Sequence, residues 1–214
     1  MKKETLEKVF IESLNKNFQA QSKYFDCNFL VLHELVSPIF EINKCIILQF
    51  YRASITLTNM LLERALKIAL IYNEAGIEPE PIENWHSTFS EPNHKYSNFK
   101  LANSIDKCKK EGLISEAERD VLSNNIRTLI RNGFSHADPT EVLKPLPDEK
   151  SICQGDFSKP VELKLFKVNF KAIPAFQAEE MELFAIRNAS SYFDFVFRLT
   201  IDIDKRLFDK SNKV

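Results

Sequence analysis

Apolar residues recur every three or four positions over most of the chain, the period of helices packed by one face. In "ETLEKVFIESL" the positions are Leu6, Val9, Phe10 and Leu14. A second apolar patch, "NFLVLHELVSPIF", is broken at Pro38, which disfavours helix at Ser37. From Glu41 to about Ala75 the pattern predicts one long helix of roughly 50 Å, with Ile42, Ile46, Phe50, Ala53, Leu57, Met60 and Leu61 in one stripe and Leu62, Ala65, Leu66, Ala69 and Leu70 widening it. Gly76, Pro79 and Pro81 end it, and residues 77–96, rich in Pro and polar side chains, read as a loop.

Asn98–Lys110 is a further helix, carrying Leu101, Ile105 and Cys108 and stopped by Gly112. Ser115 and Glu118 have the spacing of a capping box, and the helix they open shows Leu122, Ile126, Leu129 and Ile130. Asp138 and Pro139 announce a short new helix start. At about 144–176 the pattern changes: prolines accumulate, "VELKLFKVNF" alternates briefly, and an irregular insertion with one or two short strands is expected. A long final helix, Ala178 to about Asp209, carries Met181, Phe184, Ala185, Tyr192, Val196, Leu199, Ile203 and Leu207. The expected architecture is all-α: a single domain over 1–214, a bundle of about five helices plus that insertion.

Composition narrows the function classes. The 214 residues suffice for one proper core, and only 4 are glycine, which argues against Gly-rich phosphate loops and many-turned β folds. The net charge of −1 provides no global field for nucleic acid, although it allows a local basic patch. No apolar run reaches the ~18 residues of a membrane span, since Gln49 and Arg52 interrupt the strongest window, and the N-terminus does not read as a signal peptide. Cys27, Cys45, Cys108 and Cys153 are far apart, so they read as buried thiols in a reducing compartment, which places the chain in the cytoplasm. His33 reads as a structural residue in an apolar patch. His86 and His94 lack nearby ligands at metal spacing, so no metal and no cofactor is expected. The 18 phenylalanines mostly fall on apolar stripes and read as core.

One stretch breaks the pattern. After Leu129 and Ile130 the chain reads "RNGFSH", Arg131 to His136, with a glycine that costs about 1 kcal/mol inside a helix. Side chains five apart on a regular helix point about 140° from each other, so Arg131 and His136 act together only if the helix ends or distorts between them, and Gly133 sits at that point. An imidazole exchanges protons near neutral pH, and a guanidinium holds a phosphate through two parallel hydrogen bonds. The pair suits a phosphodiester without requiring a metal. The bland reading is a helix end, with Arg131 and His136 as solvated cations at the negative pole and Gly133 as terminator.

Arg-x4-His at the end of a helix, with Asn132 directly after the Arg and another long apolar helix upstream, resembles the HEPN superfamily. The resemblance covers about residues 40–209, and the insertion is not part of the family signature. It implies a bundle of four or five helices, usually dimeric, and the metal-independent RNase chemistry of many members in toxin–antitoxin, phage-defence and CRISPR systems. It implies Arg131, His136 and Asn132 as catalytic residues in a composite site shared by two copies, with the RNA 2′-hydroxyl as nucleophile. It further points to Glu63 and Asn59 on the upstream helix as substrate-binding candidates, although Glu63 equally suits a surface pair with Lys67. The implied partners are RNA, a second copy, and an antitoxin or other protein. The alternative is a catalytically silent HEPN-like module that binds a nucleotide or a protein.

Overall fold

The computed structural model describes residues 2–78, 80–135, 138–154 and 164–212, with the backbone alone for residues 128–132, 135, 150, 152–154 and 164. Among the described residues the fold is all-α apart from one hairpin. In chain order come α1 (Lys3–Gln21), α2 (Val36–Ile47), α3 (Tyr51–Ala75), α4 (Ile82–Ser97), α5 (Leu101–Lys110) and α6 (Glu116–Val121). A π-helical segment, Leu122–Arg131, continues α6 into α7 (Asn132–Ser135) and then α8 (Thr140–Leu143). Strands β1 (Glu149–Gln154) and β2 (Lys164–Asn169) pair antiparallel, with Ile152 opposite Phe166, and α9 (Pro174–Ser211) closes the chain. The hairpin lies in the stretch whose alternation predicted short strands.

The organising pair is α3 and α9, which run parallel. Arg52 meets Glu182 at one end, Asn59 meets Tyr192 midway, and Asn73 meets Lys210 at the other. Ile55, Leu62, Leu66 and Ala69 of α3 and Ala185, Phe193, Val196 and Ile203 of α9 are buried in the same core. Each fully buried aliphatic side chain stabilises by about 1.5–3 kcal/mol relative to exposure.

Three expectations need correction. The long helix predicted from Glu41 to Ala75 is two helices. The Phe50 amide donates to the Cys45 carbonyl at 2.7 Å and the Gln49 amide to Ile46 at 3.0 Å, the paired bonds of a Schellman ending. Gln49 takes the left-handed position at φ 64°, where a glycine would have announced the stop. The break resets the helical phase: Phe50, Ala53 and Met60, read as core stripe, are exposed, and Ser54, Ile55, Thr58 and Asn59 face inward instead.

Second, α2 begins before Pro38, and Ser37 is helical. Proline is tolerated in a first helical turn, where its missing N–H has no intrahelical partner to lose. Third, residues 82–97 form α4 and not a loop, with Pro92 inside the helix. Phe89, Pro92 and Tyr96 recur at helical spacing. Phe89 meets Tyr72 edge to face at 5.8 Å, while Pro92 and Tyr96 are buried. Packing against α3 offsets the hydrogen bond that proline removes.

Smaller corrections follow. His33 is exposed and not within the core, and Cys27 and Cys45 are only half-buried; the phenylalanines serve the core as expected, with Phe29 and Phe193 buried and Phe40, Phe89, Phe99, Phe134, Phe184, Phe195 and Phe197 packed against it. On α1, Leu6, Val9 and Leu14 are exposed, leaving Ser13 as that helix's buried residue. None of the described helices is long and apolar enough to cross a membrane.

Candidate functional site

The capping box predicted at Ser115 opens the helix that leads to the RNGFSH segment. The Ser115 hydroxyl accepts from the Glu118 amide at 3.2 Å, and the Ser115 amide donates to the Glu118 carboxylate at 2.6 Å. Leu122 and Ile126 then bury themselves in the core. From Leu122 the backbone is π-helical up to Arg131. A π turn bonds residue i to i+5, so it holds more residues per turn than an α turn. The side chains after it no longer follow the phase that Leu122 and Ile126 set. The distortion ends at Arg131 and not at Gly133, so it sets the direction of the motif as a whole and does not bear on the angle between Arg131 and His136.

Gly133 serves another purpose. It is buried, and a Cβ there would stand 3.0 Å from the Val142 Cγ2, 3.6 Å from the Asp138 carbonyl oxygen and 3.8 Å from the Met181 Cε. The backbone of α7 therefore lies against α8 and α9 at a distance only glycine permits without displacement. Phe134 follows, its ring 5.8 Å from that of Phe184 on α9. Asp138 accepts from the Thr140 amide at 3.0 Å, and α8 starts where the sequence suggested, but Pro139 and not Asp138 takes the cap position. Two residues in the middle of the motif are thus packing anchors that fix where the motif sits.

Both the π segment and α7 pack against α3. Beside them opens a cavity of about 580 Å³, whose walls include Gly133 and Phe134, Arg52, Thr56 and Leu57 of α3, and Gln177 and Met181 of α9. Arg131 is the last residue of the π segment and Asn132 the first of α7. Their side chains, and His136 entirely, lie outside the described residues. Arg52 holds Glu182 at 3.9 Å with both side chains about half exposed. Such a pair contributes little, so the guanidinium can exchange its carboxylate for a phosphate oxygen.

Asn59 and Glu63 line a second cavity, of about 590 Å³, which shares Leu57 with the first. Asn59 is buried and its side-chain oxygen accepts from the Tyr192 hydroxyl at 2.7 Å. Burial first, and the Glu63 charge second, push the Tyr192 hydroxyl far above the usual phenol range, so it remains a donor. Asn59 therefore joins α3 to α9, and half-buried Glu63 stands near the same tyrosine.

Sequence reasoning missed Arg52 and Tyr192. Arg52 was visible only as the cation interrupting an apolar window, and Tyr192 as one more member of the final stripe. Among the described residues no group of His, Cys, Asp and Glu side chains is arranged to hold a metal ion. Comparison with family models, curated proteins and solved structures finds no match.

Proposed function

We propose that this chain is a metal-independent RNA endonuclease of HEPN type, acting as a prokaryotic toxin or phage-defence component. In this reading the five-helix bundle comprises α2, α3, α5, the helix made by α6 and its π continuation, and α9. Arg131 binds and neutralises the scissile phosphate. His136 moves the proton, taking it from the 2′-hydroxyl or giving it to the leaving 5′-oxygen, and Asn132 orients phosphate or ribose. The observation that carries the reading is the setting of the motif: a π-helical distortion ends at Arg131, and Gly133 and Phe134 pin the following turn to the wall of a cavity with a loosely paired arginine. π-Helical turns are uncommon and recur at functional sites.

One Arg and one His supply too little for a reaction that gains from an acid, a base and charge stabilisation together. The reading therefore includes a homodimer in which two motifs share one cleft. Sedimentation at micromolar concentration tests this, and a monomer contradicts the composite site.

The deciding experiment incubates pure protein with mixed RNA in EDTA beside Arg131→Ala and His136→Ala variants. Cleavage is expected to persist in EDTA and to fall by about 10²–10⁴-fold in the His136 variant. Cleavage that vanished in EDTA and returned with magnesium or manganese would overturn the mechanism. RNA or nucleotide binding without cleavage would leave the silent-module alternative.

A further inference from the structure

The cavity beside the motif differs in its wall from its neighbour. The second cavity is walled by charges of both signs, Glu41 and Glu63 with Arg64 and Lys67. In the first, Arg52 is the one charged side chain among the described lining residues. α9 turns one face to this space, with Pro174, Gln177, Ala178 and Met181 at i, i+3, i+4 and i+7. Leu57 of α3 and Phe134 of α7 extend the apolar wall, and Phe134 is only half-buried. A cavity of about 580 Å³ with mostly apolar walls and a few placed polar groups has the make-up of a small-ligand site.

Gln177 is the polar side chain that α9 contributes. It is half-buried, and its amide nitrogen donates to the Lys171 carbonyl at 2.6 Å. The reverse orientation would set two carbonyl oxygens against each other, so the amide is fixed, with its oxygen and its second N–H left for a ligand. The segment that orients it is anchored in turn. The Lys171 ammonium reaches Asp148 at 2.8 Å and the Lys144 carbonyl at 3.3 Å, and Phe170 stacks on Phe176 at 3.9 Å. On the α3 side the Thr56 hydroxyl donates to the Arg52 carbonyl at 3.1 Å, which leaves it an acceptor. The cavity thus holds one oriented amide, one acceptor and one guanidinium in a loose, half-exposed ion pair.

We infer that Gln177 determines base specificity: its amide reads the edge of one nucleobase taken into this cavity, while Arg52 holds the phosphate of the same nucleotide; this rests on the RNase reading above. A nucleotide has a flat body with apolar faces, an edge of paired donors and acceptors, and an anionic phosphate. The apolar wall with its one aromatic ring suits the first, an amide with a donor and an acceptor to spare suits the second, and the guanidinium suits the third. A simple aryl phosphate would use the wall and the cation and leave the amide unpaired. Because the amide is oriented before substrate arrives, it accepts one pattern of donors and acceptors and opposes the others, which is how a polar group in a pocket discriminates.

The test digests short RNAs of random sequence with the full chain and sequences the product ends. The parent should favour one base at one position near the cut by about tenfold or more. Gln177→Met keeps the length of the side chain and removes the amide, and should lower that preference to under about threefold. Gln177→Glu, which only accepts, should change which base is preferred. Each preference is a ratio within one protein, so a variant that is partly unfolded does not disturb it. A second arm measures binding of the four ribonucleoside 5′-monophosphates and of phenyl phosphate by calorimetry. Cleavage with the same preference in parent and Gln177→Met, or with no preference in the parent, overturns the inference and leaves the RNase reading standing. A chain that cleaves no RNA but binds one monophosphate more tightly than the other three and than phenyl phosphate, a difference lost in Gln177→Met, supports the base pocket and removes the RNase reading. A chain that cleaves no RNA and binds all five compounds alike, or none of them, overturns both.

Discussion

The two ends of the α3–α9 pair are built on different rules. At the far end, polar groups are matched to partners on other elements. The Asp204 carboxylate is buried and accepts from the backbone amides of Leu30, Val31 and Leu32 at 2.7–2.8 Å. Arg206 grips Glu118 with two nitrogens, at 2.7 and 3.1 Å, and donates to the Leu113 carbonyl at 3.0 Å. Lys210 bridges Asn73 and the Glu111 carbonyl. At the near end the helix leading to the motif is π-distorted, the pair is joined among the described residues by the loose Arg52–Glu182 contact, and a cavity remains open. On the proposed reading, the difference separates the end that holds the pair together from the end that meets substrate. Polar groups matched to partners, with Asp204 fully buried among them, hold one end together, while the other keeps open space and a loosely held cation.

If that contrast is right, removing a polar anchor at the far end should cost stability first. Asp204→Ala leaves three amide donors without their carboxylate, two of them on buried residues, and should cost about 3 kcal/mol or more in urea unfolding. A loss under about 1 kcal/mol would break the comparison.

Gly133→Val probes the near end by shape. Its side chain must displace Val142 and Met181, and overpacking of this kind costs about 1–3 kcal/mol. RNA cleavage should fall further than the stability loss explains, because α7 would be pushed from its place beside the cavity. A variant as stable and active as the parent would show that the close contact positions nothing.

The smallest effect comes from the Glu118 clamp. Burial pushes the Glu118 carboxyl up, but hydrogen bonds from Arg206 and Ser115 outweigh it and hold it below the usual carboxylate range. A depressed folded value means the clamp stabilises fully above the unfolded pKa of about 4.3, and that this stability is lost as pH falls through the folded value. Glu118→Gln keeps the capping-box spacing and removes the charge. It should cost about 1–2 kcal/mol at pH 7, with the difference from the parent shrinking below about pH 4. A difference independent of pH would contradict the assignment.

Much of this architecture was legible because it rests on local rules. Ser115 with Glu118 named a helix start, Gly112 named a stop, and the spacing in the final helix fixed which side of α9 is buried. What was hidden depends on tertiary context. Gln49 adopts a conformation its side chain disfavours, so no residue marked the break between α2 and α3. Pro92 and its polar neighbours read as loop because the packing of Phe89 and Tyr96 on α3 cannot be seen locally. At the candidate site the motif itself was readable, and Gly133 drew notice as an anomaly. Its reason, contact with Val142 and Met181, joins residues far apart in the chain. Arg52 and Tyr192 carried no signal because an arginine at a helix start and a tyrosine in an apolar stripe are ordinary.

The central claim is that the RNGFSH motif cleaves RNA through the 2′-hydroxyl, and the chemistry of the product ends tests it most directly. RNA digested in EDTA should carry 2′,3′-cyclic phosphate on the upstream fragment and a free 5′-hydroxyl downstream, while 2′-O-methyl RNA and DNA, which lack that hydroxyl, stay intact. The His136→Ala protein should release such ends at least about 10²-fold more slowly. Products bearing 5′-phosphates, or equal cleavage of the 2′-O-methyl strand, would contradict the account.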